Sequence, residues 1–133
     1  MRRTWALLGA AMGLLALGTP VLAHHGGSEY DQKNLIKLRG TVTDFQWQNP
    51  HCEIFLDVKD DSGSIRHWGI ETNSPPVMHR AGWTRESIKP GDVVTITTAP
   101  SKRGNPIGLL RAITLADGKE LTAGSLGERP EQQ

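Results

Sequence analysis

The stretch LIKLRGTVTDFQW, residues 35 to 47, changes phase halfway along. Ile36, Leu38, Gly40 and Val42 fall on one face by strict alternation, as in a half-buried strand. Phe45 and Trp47 then take the opposite parity. One strand can present both sets to a core only if an extra residue or a sharp bend intervenes, near Thr43 or Asp44. Gly40, in the middle of the run, marks strong curvature or a close backbone approach. A long strand that curves and changes face lets a small sheet close on itself, so the segment points to a barrel.

The rest of the chain supplies partners for such a strand. His51 to Lys59 alternates with Cys52, Ile54, Leu56 and Val58 on one face, and the DDSGS loop then turns the chain. Ile65 to Thr72 reads as a third strand with Trp68 and Ile70 inward. Ser74 as cap and Pro75 in the first turn predict a short helix that ends by Gly82. After the Lys89-Pro90-Gly91-Asp92 turn, Val93 to Ala99 and Leu109 to Leu115 read as strands four and five, and Asp117-Gly118 as a hairpin turn. Three strands, a short helix and two strands is the order of the OB-fold, a five-stranded Greek-key barrel. The expected fold is thus mainly β, a five-stranded OB-like barrel over residues 35–122. Expected to be buried are Trp68, Ile70, Val58, Leu56, Val94 and Ile113, with Trp47 and Trp83 also in the core.

The ends differ from this middle. Arg2-Arg3, an apolar run from Thr4 to Gly18 and the Val21-Leu22-Ala23 site read as an export signal over residues 1–23. That run is too short for an ordinary membrane span of about 20 residues. The position of the arginine pair directly on Met1 favours general secretion over the twin-arginine route. Residues 24–34 read as an extended polar arm and 123–133 as a disordered tail. Cleavage after Ala23 leaves 110 residues, room for one domain. Of 15 basic residues two fall in the signal, so 13 face 14 acidic ones and the mature charge is −1 with His neutral. Such a balance gives no electrostatic footprint for nucleic acid. One cysteine, Cys52, excludes an internal disulfide. The mature chain is expected in the periplasm or outside the cell, as a monomer without a membrane span.

Several stretches together carry a family resemblance: AHHG, GTVTDFQWQNPH, DVKDDSGSIRHWGIET, AGWTRESIKPGD and LADGKEL. They resemble the small exported bacterial proteins grouped as domain of unknown function 6152. The shared features are His24-His25, Asn49-Pro50-His51, Trp68, Gly82-Trp83 and the turn from Lys89 to Asp92. Cys52 departs from the apolar or aromatic residue that family carries there, and a thiol packs as a small hydrophobe. The resemblance implies export and a compact β-fold, and it implies no activity.

No enzyme signature occurs: neither a Gly-x-Ser-x-Gly elbow, nor a phosphate loop, nor His-Glu-x-x-His. Candidate chemistry lies in the histidines. A chain that starts at His24 has a free amine and an imidazole on one residue, and a second imidazole completes a nitrogen set suited to copper. His25 at position two offers amine, amide and imidazole instead. His51, at the start of strand two, is the candidate third ligand. His67, on the outer face of strand three, and His79, on the helix, read as surface residues. Phe55 points outward and is expected to pack beneath the arm. Cys52 reads as an inert buried thiol. Asp57, Asp60 and Asp61 read as a solvated hairpin cluster. The reading is an exported binding module that holds copper through His24 together with His25 or His51. The alternative is a metal-free interaction or envelope adaptor module using the outer face of strands two and three, its partner a protein or small ligand the sequence does not name.

Overall fold

The computed structural model describes residues 27–124. Its strands are β1 (Ile36–Gln46), β2 (Glu53–Lys59), β3 (Ile65–Glu71), β4 (Val93–Pro100), β5 (Ile107–Thr114) and β6 (Glu120–Thr122), and one helix, α1 (Pro75–Arg80), lies between β3 and β4. The sheet runs β3-β2-β1-β4-β5-β6. A parallel pairing of β3 with β5, from Gly69↔Ile107 to Glu71↔Leu109, closes the first five strands into a barrel. This is the OB-like barrel the sequence predicts, with the three-residue β6 added on the outer edge of β5.

The phase change in β1 is a bulge. The register steps from Val42↔Leu56 to Asp44↔Phe55, so Thr43 is the extra residue. Val42 is buried before it, and Phe45 and Trp47 pack against the same core after it. Gly40 pairs with Val58 of β2 on one side and Val94 of β4 on the other. A Cβ there would lie 2.6 Å from the Asp57 carbonyl oxygen and 2.9 Å from Leu56 Cδ1. The missing side chain is what lets β2 cross β1 closely enough for the sheet to curl.

Inside the barrel, Val42, Ile54, Leu56, Ile70, Val94, Ile96, Leu110 and Ile113 are buried. Each fully buried aliphatic side chain contributes about 1.5–3 kcal/mol. With a lone cysteine and no disulfide to constrain the unfolded chain, this burial carries the fold. Met78 of α1, Trp83 and Ile88 are buried in the same core cluster. Trp83 donates its indole N–H to the Thr122 carbonyl at 2.7 Å, which satisfies the only polar atom of its side chain.

Some expectations are corrected. Val58 is half-buried, because it stands near the end of the β2–β3 hairpin, opposite Arg66. Trp47 is half-buried and meets Phe45 edge-on at 5.9 Å, while Trp68 and Trp83 are buried. Ser74 caps α1 without a side-chain bond; its backbone carbonyl accepts the Val77 and Met78 N–H groups. Of the arm expected to be extended, Gly27–Glu29 forms a single 3-10 turn. Ala123 and Gly124, assigned to the tail, are held: both carbonyls accept from Asn73 Nδ2 at 3.0 Å, and Ala123 N–H reaches Arg111 O. The signal over 1–23, His24, His25 and the rest of the tail lie outside the described residues.

Candidate functional site

Three chain segments distant in sequence meet at Glu71. Alternation in β3 turns Trp68 and Ile70 into the core, so Glu71, the last residue of the strand, faces outward. Its backbone is paired on both sides, with Glu53 of β2 and Leu109 of β5. His51 stands two residues ahead of β2, directly after the cis Asn49–Pro50 peptide. Tyr30 arrives from the arm, where it forms a bridge with Ser101. Asp31 N–H donates to Pro100 O at 2.8 Å and Lys102 N–H to Glu29 O at 3.0 Å, so the arm is stitched to the end of β4 on both sides of Tyr30.

At the junction, the Tyr30 hydroxyl donates to Glu71 Oε2 at 3.0 Å. The other carboxylate oxygen, Oε1, lies 3.2 Å from His51 Nδ1. Tyr30 is 6 % exposed, and burial, reinforced by the bond to Glu71, pushes its phenol far above the ordinary tyrosine range. It therefore remains a protonated donor throughout the physiological range. The side chains of His51 and Glu71 are 40 % and 29 % exposed, so the chain Tyr30–Glu71–His51 runs from the interior to the surface. Among the described residues, no group of three His, Cys, Asp or Glu side chains is arranged to hold a metal. His51 and the Glu71 carboxylate can supply two donors, and a bound metal would need others from elsewhere.

A family model matches residues 11–111 of the 133, from before the described residues through β1 to β4 and into β5. The chain belongs to DUF6152, a family of unknown function. A comparison with curated proteins gives no match.

The other candidates in this DUF6152 chain fall elsewhere on the barrel. Asp57 and His67 are opposed on β2 and β3, and His67 Nδ1 lies 2.5 Å from Asp57 Oδ1. Asp57 is thus paired, apart from the solvated hairpin cluster expected to include it. Asp60 organises the hairpin by accepting from the Ser62 hydroxyl and from the backbone N–H groups of Ser62 and Ser64. His79 is exposed in the last turn of α1. Cys52 is fully buried, and burial pushes its thiol up, as expected for an inert core cysteine. Its backbone links β2 to the end of β3 through Asn73 O and Thr72. Phe55, expected to pack beneath the arm, is half-buried on β2. It faces Gly69 on the next strand and lines an open groove of about 570 Å³ with Trp68, Pro106 and Ile107. Among the described residues, no helix is long and apolar enough to cross a membrane.

Tyr30 and Glu71 were missed from sequence. Glu71 carries one usable signal, outward parity at the end of a strand that otherwise buries its alternate residues. Tyr30 carries another, since it is the single tyrosine of the chain and stands in a polar arm with no apolar neighbour.

Proposed function

We propose that the chain is an exported binding module that takes up copper through the amine and imidazole of His24, completed by His25 or His51. One observation carries the reading: Tyr30 of the arm docks on the same carboxylate that holds His51. The candidate ligand on the barrel and the root of the arm thereby share one anchor. His24 precedes Tyr30 by six residues, a length that spans at most about 20 Å, so the two candidate ends are within reach of each other. Nitrogen donors suit copper and disfavour calcium or magnesium, which take oxygen. Zinc is the realistic competitor.

The test is calorimetric titration with Cu(II) and Zn(II) of protein starting at His24, against the same chain with one extra N-terminal Gly, His24→Ala and His51→Ala. Loss of affinity and altered copper spectra in the extended and substituted proteins support the reading. Equal affinity and identical spectra in all of them overturn it, since the terminal histidine would then not be a ligand. The extended chain moves His25 to position three, where it can form a different copper site, so His25→Ala is included in both backgrounds. A second reading, a metal-free interaction module, is favoured by the apolar groove at Phe55, Trp68 and Ile107. It gains if the processed protein takes up no metal while Phe55→Ala or Ile107→Ala abolishes capture of a partner.

A further inference from the structure

We propose that the groove at Phe55 is a binding site for a small organic cation, an ammonium or guanidinium group carried on an apolar body. The inference rests on the interaction-module reading above, names its ligand class and needs no copper. Four strands build the groove from one row of residues in register. Asp44 of β1 stands opposite Phe55 of β2, Phe55 opposite Gly69 of β3, and Gly69 opposite Ile107 of β5. The alternate residues Leu56, Trp68 and Ile70 are buried, so this row faces outward. Three steps between neighbouring strands make it about 14 Å long. Gly69 leaves its place in the row empty, and the Phe55 ring leans into it. A Cβ at Gly69 would lie 3.5 Å from Phe55 Cε1 and 3.9 Å from Ile107 Cγ2. The resulting volume of about 570 Å³ falls in the range of small-ligand sites, about 300–1,000 Å³.

Charge selects the ligand. Among the described residues that line the groove, Asp44 is the acidic one, and no lysine or arginine is present. The β1 bulge puts Asp44 there. Leu38, Gly40 and Val42 face inward, so position 44 would also face inward if Thr43 were not the extra residue. The carboxylate is then held in place. Oδ1 accepts the Phe45 N–H at 2.8 Å, and Oδ2 accepts from Gln46 Nε2 at 3.1 Å. A carboxylate has about four acceptor sites, so both oxygens can still take a hydrogen bond from a ligand. The face of an aromatic ring attracts cations as well. Arg66 already lies over the Trp68 ring, at 5.5 Å, so the ligand's cation goes to Asp44 and Phe55. His67, which also lines the groove, is engaged by Asp57. The body of the ligand extends toward Pro106 and Ile107. An anion would be repelled by Asp44, and a neutral ligand would cover that carboxylate without pairing it.

The experiment compares three probes with one phenethyl body and an ammonium, hydroxyl or carboxylate head: phenethylamine, phenethyl alcohol and phenylpropionate. Each is titrated into the metal-free processed protein and followed by NMR. Phenethylamine should shift the Asp44, Phe55, Gly69 and Ile107 signals saturably, binding more tightly than the alcohol, with the carboxylate weakest. Asp44→Asn should lower the affinity for the amine about 3–5-fold at low salt and leave that for the alcohol unchanged. Phe55→Leu, which keeps an apolar side chain, should lower it about 2–5-fold. Asp117→Asn removes the same charge at the β5–β6 turn and should have no effect. The spectra also report whether each variant is folded. Equal affinity for amine and alcohol, shifts confined to other surfaces, or equal losses in Asp44→Asn and Asp117→Asn overturn the proposal. If no probe binds while Phe55→Ala still abolishes capture of a protein partner, the cation site falls and the interaction-module reading stands. If the amine binds as expected and no protein partner is captured, the cation site stands and the module is a receptor for small ligands.

Discussion

Replacing Gly40 by Ala should be far more damaging than replacing Gly69 by Ala, although both are strand glycines next to β2. The Cβ introduced by Gly40→Ala would lie 2.6 Å from the Asp57 carbonyl oxygen, against an ordinary carbon–oxygen contact of about 3.3–3.6 Å. Relief requires β1 and β2 to separate by roughly 0.7 Å on that contact distance. Gly40 is also paired with Val94 of β4, so β1 cannot withdraw without disturbing its second ladder. The obstacle is backbone, and Leu56 Cδ1 and Val58 Cγ2 lie behind it at 2.9 and 3.1 Å. Overpacking of this kind costs about 1–3 kcal/mol or somewhat more. Removing a glycine from the unfolded ensemble returns about 0.4–1 kcal/mol. The net expectation is a loss of about 1–2 kcal/mol, which for a domain of this size lowers Tm by roughly 5–15 °C. At Gly69 the new Cβ meets Phe55 Cε1 at 3.5 Å, an ordinary contact, so only the entropic gain remains and Tm should hold or rise slightly. Thermal and urea unfolding followed by tryptophan fluorescence measure both variants. If Gly40→Ala is as stable as the wild type, or equal to Gly69→Ala, the close approach of β2 is not what demands glycine.

Trp83→Phe keeps most of the buried ring but removes the donor to Thr122 O, and should cost about 1–3 kcal/mol in urea unfolding without a change in m-value. Cys52 should react with a maleimide slowly in the native protein and at once in denaturant, because it is fully buried and its thiol is pushed up by burial; fast native labelling would contradict the packing. Asp60 is held below the usual aspartate range, first by the Ser62 hydroxyl and then by the backbone N–H groups of its hairpin. Its stabilising contribution is therefore full above the ordinary value of about 3.9 and is lost as pH falls through the lowered one. Asp60→Asn should flatten the acid side of the Tm–pH curve, and an unchanged acid slope would count against it.

The barrel was legible because its evidence is local. The parity change in β1, the glycine at 40 and the Ser-Pro start of the helix each act within a few residues, and each appears where the sequence puts it. Val58 was misjudged because alternation gives the face of a strand and not the distance to the end of the sheet. Ala123 and Gly124 looked like tail because their anchor, Asn73, is about fifty residues away. The site was less legible for the same reason. His51 could be singled out as a histidine with no packing duty, but its partner Glu71 and Glu71's partner Tyr30 depend on tertiary pairing. No spacing rule connects residues 30, 51 and 71.

The comparison of two histidine–carboxylate pairs shows what tertiary context adds. His51–Glu71 and His67–Asp57 have similar chemistry, and both involve the outer side of β2 and β3. His67 is 84 % exposed and, among the described residues, Asp57 has no second anchor of Tyr30's kind, so this is a surface pair, worth about 0–1 kcal/mol and screened by salt. Its short contact of 2.5 Å does not alter that ranking, since solvent competes for both partners. Glu71 is held by β2, β5 and a buried phenol, and the histidine it contacts is less than half exposed. Raising salt should release His67 from Asp57 well before it disturbs His51, and chloride titration of the two ring signals would show it. If both pairs loosen together, Tyr30 does not stiffen Glu71.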